Sequence, residues 1–199
     1  AAKEYLKVYG VLVGKKPLIF TNNDSGYETA IEFKKNGVEP IILDTRKEPK
    51  SEIIDEAKKL NIQIKFSYVV VAAKGYKKVK SAEVAKISDD KNELGTLENI
   101  NCDCICVSGF WTPTIHLASQ SGNKTTFNKD IDAFVPGLSK QNETTLGAAN
   151  GTFTLEETLK KSFESGYELS KKITNNDNKT SSPTVMEKKS TTHDKFWCV

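Results

Sequence analysis

The residues whose types and spacing could do chemistry begin at Thr21-Asn22-Asn23-Asp24-Ser25-Gly26, which follows the apolar run Leu18-Ile19-Phe20 and leads into a helical pattern and then Ile41-Ile42-Leu43-Asp44. A strand, a tight loop, a helix and a second strand form a βαβ unit, and its first loop is where a G-x-G-x-x-G phosphate motif would sit. The first glycine of that motif makes the turn, the second lets backbone approach a pyrophosphate, and the third allows close helix-strand packing. The matching positions here are Thr21, Asn23 and Gly26. The packing glycine is kept and the two phosphate glycines are replaced, so the architecture is expected and close approach of a dinucleotide at this loop is not. Asp44 ends the second strand about twenty residues on, where a ribose-binding acid would stand. Without the glycines the structural reading is favoured, that of a turn residue after a buried strand.

Cys102, Cys104 and Cys106 alternate along a strand-like segment, and a period of two predicts all three on one face. Zinc and iron-sulfur sites use spacings that wrap a loop around the metal, and no second half-site accompanies this run, so the three are read as small buried hydrophobes in a reduced compartment. His116 has no Ser, Cys or acid at triad spacing and is read as part of a packed turn after Pro113. Trp111 could stack on a cofactor or fill a junction between lobes. No catalytic residue and no metal ligand is assigned.

Composition narrows the classes. The chain has 199 residues, 28% charged and 37% hydrophobic, with a formal net charge of +3. That is enough for one good core or two small lobes. The positive charge comes from dispersed lysines and a single arginine, Arg46. Nucleic-acid binding, which favours clustered charge and guanidinium forks, is therefore not expected. No apolar run reaches membrane-spanning length and no basic-then-apolar leader opens the chain, so no membrane association and a cytoplasmic location are expected.

The elements that must hold these residues follow from periodicity. A short helix is expected up to Tyr9, with Gly10 closing it. After the first strand, Asp24 is the candidate N-cap of a helix carrying Tyr27, Ala30 and Ile31 and stopping at Asn36-Gly37. A strand over Pro40 to Leu43, a helix opened by Pro49 and Ser51 with Ile53, Ile54, Ala57 and Leu60 on one face, and a strand near Ile62 to Ile64 come next. Alternation from Tyr68 to Ser88 predicts a β-meander with a turn at Lys74-Gly75. Beyond the cysteine strand, a short helix or turn to Ser119 and strand-like pieces from Phe127 to Val135 precede the small-residue loop Gly147-Ala148-Ala149-Asn150-Gly151. The strongest helix follows, with Thr154 and Glu157 as a capping box and Leu155, Leu159, Phe163 and Tyr167 as its stripe. Residues 174–199 read as a polar linker and the start of a further domain at Phe196-Trp197-Cys198-Val199. The chain lacks an initiator Met and is expected to be a piece of something longer, whose missing first βα unit would leave Val107 and Leu146 uncovered.

Two passages carry more than pattern: Ile100-Asn101-Cys102-Asp103, and Val107-Ser108-Gly109-Phe110-Trp111-Thr112-Pro113-Thr114-Ile115-His116-Leu117-Ala118-Ser119-Gln120. With Tyr9-Gly10-Val11, Phe20 to Tyr27, Phe134-Val135-Pro136-Gly137 and Gly147 to Gly151, in this order, the chain resembles the α subunit of heterotetrameric sarcosine oxidase up to about residue 173. The resemblance implies an α/β fold: a Rossmann-like, glutathione-reductase-like piece of a two-dinucleotide-binding-domain protein, with a parallel sheet plus β-meander. It implies a connector helix over 1–14 from the first lobe, an inserted degenerate lobe over 15–107, and a return to the first lobe over 108–173. By resemblance the whole enzyme oxidatively demethylates sarcosine with FAD and FMN in the complex, binds NAD, and passes the one-carbon unit to tetrahydrofolate through a C-terminal domain absent here. Its partners are β, γ and δ subunits.

Related flavoproteins carry an Asp after Gly in the loop before the last helix, where helix-terminal amides face a dinucleotide. Here the pair is Gly147-Ala148, so the carboxylate is gone and a cofactor pose other than that of redox-active FAD is expected. Ala148, Phe153 and Leu155 are the expected cofactor contacts, one wall of an NAD site; helix capping alone is the competing reading of the same residues. A degenerate module that binds no nucleotide, or an α subunit of a complex oxidising proline, opines or glycine, are alternatives. A stand-alone disulfide-type reductase would need a redox C-x-x-C or an intact glycine loop, and neither is present.

Overall fold

The computed structural model describes residues 1–88, 93–109, 111–174 and 181–185. The described residues form two compact units, one ending at Gly109 and one beginning at Trp111. The expected linker and terminal segment, including Phe196 to Val199, fall almost wholly outside the described residues.

The first unit is a parallel sheet covered on each face by a different layer. Its elements are α1 (Ala2–Tyr9), β1 (Pro17–Thr21), α2 (Ser25–Lys35), β2 (Ile41–Asp44), α3 (Glu52–Lys59), β3 (Gln63–Phe66), β4 (Tyr68–Gly75), β5 (Val79–Lys86), β6 (Glu98–Asn101) and β7 (Cys104–Ser108). The parallel sheet has the order β3-β2-β1-β7, and β4, β5 and β6 form the antiparallel meander. Strands of a parallel sheet are buried on both sides, and alternation splits them here between two cores. Ile19 and Ile42 point to α2 and α3, where Tyr27, Phe33, Ile54 and Ala57 complete one cluster. Leu18 and Leu43 point the other way and pack with Ala82 and Val84 of the meander.

The helix limits follow local chemistry. Gly10 closes α1 in the left-handed region at φ 65°, and Asn36 followed by Gly37 at φ 76° ends α2. Asp24 precedes α2 but makes no capping bond from its side chain. The cap is Asn23, whose Oδ1 accepts from the Ser25 amide at 2.9 Å, because the Asp24 carboxylate is engaged elsewhere. The retained glycine has a steric reason: a Cβ at Gly26 would lie 2.6 Å from Thr21 Cβ, so α2 could not sit this close to β1.

The cysteine run does not lie on one face. Cys102 precedes β7 at a bend and packs into the meander-side core, whereas Cys106 faces the helix-side core and its thiol is 3.7 Å from that of Cys104. The alternation breaks because Asp103 turns the chain. Its two carboxylate oxygens accept from the Lys15 and Lys16 amides, each at 2.8 Å, tying the corner before β7 to the entry of β1.

The second unit contains α4 (His116–Gln120), the hairpin β8 (Thr125–Asn128) and β9 (Ala133–Pro136), a 3-10 turn over Gly147–Asn150 and α5 (Leu155–Thr174). The Phe127 and Phe134 rings meet edge to face across the hairpin, 5.3 Å between centroids. The expected packed stripe of α5 is only half covered, since no residue of this helix is buried. Val107 of the first unit is 69% exposed and Leu146 half-buried. Among the described residues no helix is long and apolar enough to cross a membrane.

Two outcomes test this account. Gly26→Ala must push α2 from β1 and is expected to lower the unfolding free energy by about 1–3 kcal/mol in urea titrations. Burial pushes the Asp103 carboxyl up, but the Lys15 and Lys16 amides outweigh it and hold its pKa below the ordinary value. A depressed folded-state pKa gives stability that is present above the unfolded value, about 3.9, and lost as pH falls through the folded one. The stability advantage of wild type over Asp103→Asn is therefore expected at pH 7 and should shrink below about pH 4, read as the gap between urea midpoints.

Candidate functional site

The order β3-β2-β1-β7 places a topological switch point between β1 and β7, and open α/β sheets bind ligands outside the carboxyl ends of strands at such a point. Thr21 and Ser108 are paired there in register, with Asp44 beside Thr21 on the other side. The place is right for a dinucleotide, and the side chains fill it. Thr21 Oγ1 donates to the Asn23 carbonyl at 2.8 Å, and Asn23 Nδ2 donates to the Gly109 and Ser108 carbonyls and to Asn22 Oδ1. Ser25 and Ser108 hydroxyls meet at 2.6 Å. The loop that should cradle phosphate is closed by bonds to itself and to the end of β7.

Asp44 is fully buried and saturated. Its Oδ1 accepts from the Arg46 amide at 2.9 Å and from Arg46 Nε at 3.0 Å, while its Oδ2 accepts from Arg46 Nη2 at 2.8 Å and from the Tyr27 hydroxyl at 2.6 Å. A carboxylate has about four acceptor positions, and all are used, leaving none for a ribose hydroxyl. Arg46 Nη1 reaches across to Asp24 Oδ1 at 2.8 Å, and the guanidinium lies 5.9 Å from the Tyr27 ring centre. Burial works against the charge on Arg46, yet the Asp44 and then the Asp24 carboxylates outweigh it and raise its pKa. Burial, then the Asp44 charge, pushes the Tyr27 phenol well above its ordinary value, so it remains a proton donor. Asp44 is thus structural, as its sequence context favours.

In the second unit, the loop before α5 is braced from beneath. Gly147 and Gly151 adopt φ values of 67° and 75°, and a Cβ on Gly151 would come within 2.6 Å of Ile131 Cδ1. The Thr152 amide donates to the Gly147 carbonyl at 3.0 Å, Thr158 Oγ1 donates to the Thr152 carbonyl at 3.3 Å, and Lys161 Nζ donates to Thr152 Oγ1 at 3.0 Å. Thr154 Oγ1 caps α5 by accepting from the Glu157 amide at 3.4 Å. Ala148, whose carbonyl accepts from the Gly151 amide at 3.2 Å, Phe153 and Leu155 are exposed along this short stretch. These three side chains offer neutral van der Waals contact, with the exposed Glu156 and Glu157 carboxylates in the adjoining first turn of α5.

Arg46 is the residue whose role sequence reasoning missed. The available signal was a lone guanidinium in a lysine-rich chain, two residues after Asp44. His116 differs from expectation: it begins α4 exposed, while Pro113 and Ala118 are the packed residues of that turn. Trp111 is also exposed. Among the described residues no cluster of three or more His, Cys, Asp or Glu could hold a metal ion.

The parallel sheet with a helix layer on one face and an antiparallel meander on the other defines the chain's α/β, Rossmann-like fold. The thioredoxin reductase of Lactococcus lactis has this fold, with a TM-score of 0.54 at 15% identity over 70% of this chain and 46% of that one. In sequence, the chain is related to sarcosine oxidase subunit alpha: it is 34% identical to the protein of Rhizobium meliloti over 76% of its length and 30% identical to that of Corynebacterium sp. strain P-1 over 77%. It spans 14% and 16% of those two relatives. No protein-family model matches the chain.

The buried charge network yields a direct expectation. Arg46→Met leaves two carboxylates in a dry site and should cost about 3–5 kcal/mol of unfolding free energy. Adding Asp44→Asn and Asp24→Asn removes the orphaned charges and should recover part of that loss, measured by chemical denaturation of all three proteins.

Proposed function

We propose that this chain is a segment of a sarcosine oxidase-type α subunit that scaffolds an oxidoreductase complex and supplies one wall of an NAD site, with the chemistry elsewhere. The single observation that carries this reading is the saturation of Asp44 by Arg46 and Tyr27. A lobe that keeps the switch-point architecture while consuming its ribose acceptor serves as a support for other surfaces. The remaining wall is Ala148, Phe153 and Leu155, presented by a loop whose glycines and threonines hold it against α5. A neutral Ala148 adds no carboxylate of its own beside a dinucleotide, while Glu156 and Glu157 bring the negative charge of this wall to the first turn of α5.

On this reading the whole protein acts in oxidative demethylation of sarcosine, with FAD and FMN held in the complex, β, γ and δ subunits as partners, and tetrahydrofolate accepting the one-carbon unit at a domain outside this chain. The relatedness to sarcosine oxidase α subunits supports it.

Calorimetric titration of NAD into the full-length protein tests the reading. Ala148→Asp is expected to weaken binding about tenfold, equivalent to about 1.4 kcal/mol. Hydrogen exchange should show NAD protecting amides over 146–158 and leaving 20–28 unchanged. Protection over 20–28 would overturn the assignment, and unaltered exchange throughout would favour an interaction module that binds no nucleotide.

A further inference from the structure

Many lysines of the first unit are matched by an acid, as Lys7 is by Glu32, Lys35 by Glu56 and Lys74 by Glu83. One corner departs from this. Lys15, Lys16, Lys77, Lys78 and Lys80 are exposed, and among the described residues their ammonium groups enter no ion pair. We propose that these lysines form a docking surface for an acidic segment of a partner protein.

The backbone brings two distant runs of sequence to this corner. The Cys102 amide donates to the Lys80 carbonyl at 3.1 Å and the Asp103 amide to the Lys16 carbonyl at 3.2 Å, so the start of β5 and the entry to β1 flank consecutive residues. Lys77 and Lys78 stand in the turn from β4 to β5, where Gly75 pairs with Val79. That turn is tight: the Lys78 carbonyl oxygen lies 2.0 Å from where a Cβ on Gly75 would sit. Tyr76 at its tip is 94% exposed. The carboxylate set among these lysines is Asp103, already bonded to the Lys15 and Lys16 amides. Burial raises its pKa, the two amides lower it, and the Lys78 charge lowers it further. A single carboxylate leaves the corner strongly positive.

Crowded like charges repel one another, and an anionic surface laid against them relieves that repulsion. Lysine heads are compact point charges on flexible stems, suited to carboxylates at varied positions. Nucleic acid is disfavoured, because the corner has no guanidinium fork and Tyr76 alone makes no stacking platform. Contacts of this kind steer association and weaken with salt. The surface belongs to the first unit and does not depend on the NAD wall of the second.

Fluorescence anisotropy of a labelled decaglutamate peptide titrated with the full chain tests the proposal. Salt is set at about 10 mM, where the screening length is about 30 Å, and at about 150 mM, where it is about 8 Å. The patch variant is Lys16→Gln with Lys77→Gln, Lys78→Gln and Lys80→Gln. The control removes equal charge from exposed positions elsewhere, by Lys59→Gln, Lys124→Gln, Lys140→Gln and Lys160→Gln. The patch variant is expected to lose about tenfold in affinity at low salt and the control less than about twofold, with wild-type binding weaker at high salt. The proposal is overturned if the peptide does not bind, or if the control loses as much as the patch variant. Tighter patch-dependent binding of a short DNA duplex or of phosphatidylserine vesicles overturns it as well, in favour of those partners.

Discussion

The first unit is organised around one buried cation. Arg46 is the single arginine of the chain, and its planar fork meets Asp44 through two nitrogens while a third reaches Asp24. An ammonium could not do this, because lysine offers a point charge where the site needs divergent in-plane donors. The three residues come from the β1–α2 loop, the end of β2 and the turn after it. Their bonds fix the first turn of α2 over the sheet, and with it the approach of Gly26 to Thr21.

Two further constraints rest on that anchor. The alternation of Leu18 with Ile19 and of Ile42 with Leu43 requires a cover on each face, so the helices and the meander are both obligatory layers. The Asp103 clamp on the Lys15 and Lys16 amides then sets where β1 begins relative to β7. Together they place Thr21, Asp44 and Ser108 at one edge, where the geometry of a nucleotide site exists and its donors and acceptors are spent internally. Architecture and binding chemistry are therefore separable in this lobe.

Much of the fold was legible because it rests on periodicity and on glycine. The two βαβ units, the meander and the cysteine strand follow from alternation and turn residues, and Gly26 was identifiable as a packing glycine from spacing alone. The site was legible only in part. Loss of the two phosphate glycines showed that the loop had changed, but not that Arg46 would join Asp44 to Asp24, or that Tyr27 would reach Asp44, since those contacts bring side chains together across 22 and 17 residues. The cysteine face was misjudged because a period of two holds only while the strand is straight, and Asp103 bends the chain between Cys102 and Cys104. The α5 stripe has the right spacing, yet spacing specifies a face and not what covers it.

The most direct measurement is the side-chain Nε–Hε signal of Arg46 in a nitrogen–proton correlation spectrum of this chain, where one arginine gives one peak. A guanidinium locked between Asp44 and Asp24 predicts a sharp signal, slow to exchange with water and unmoved by saturating NAD. A signal that exchanges rapidly, or that shifts when NAD is added, would contradict the central claim that the switch-point position is filled by the protein's own side chains.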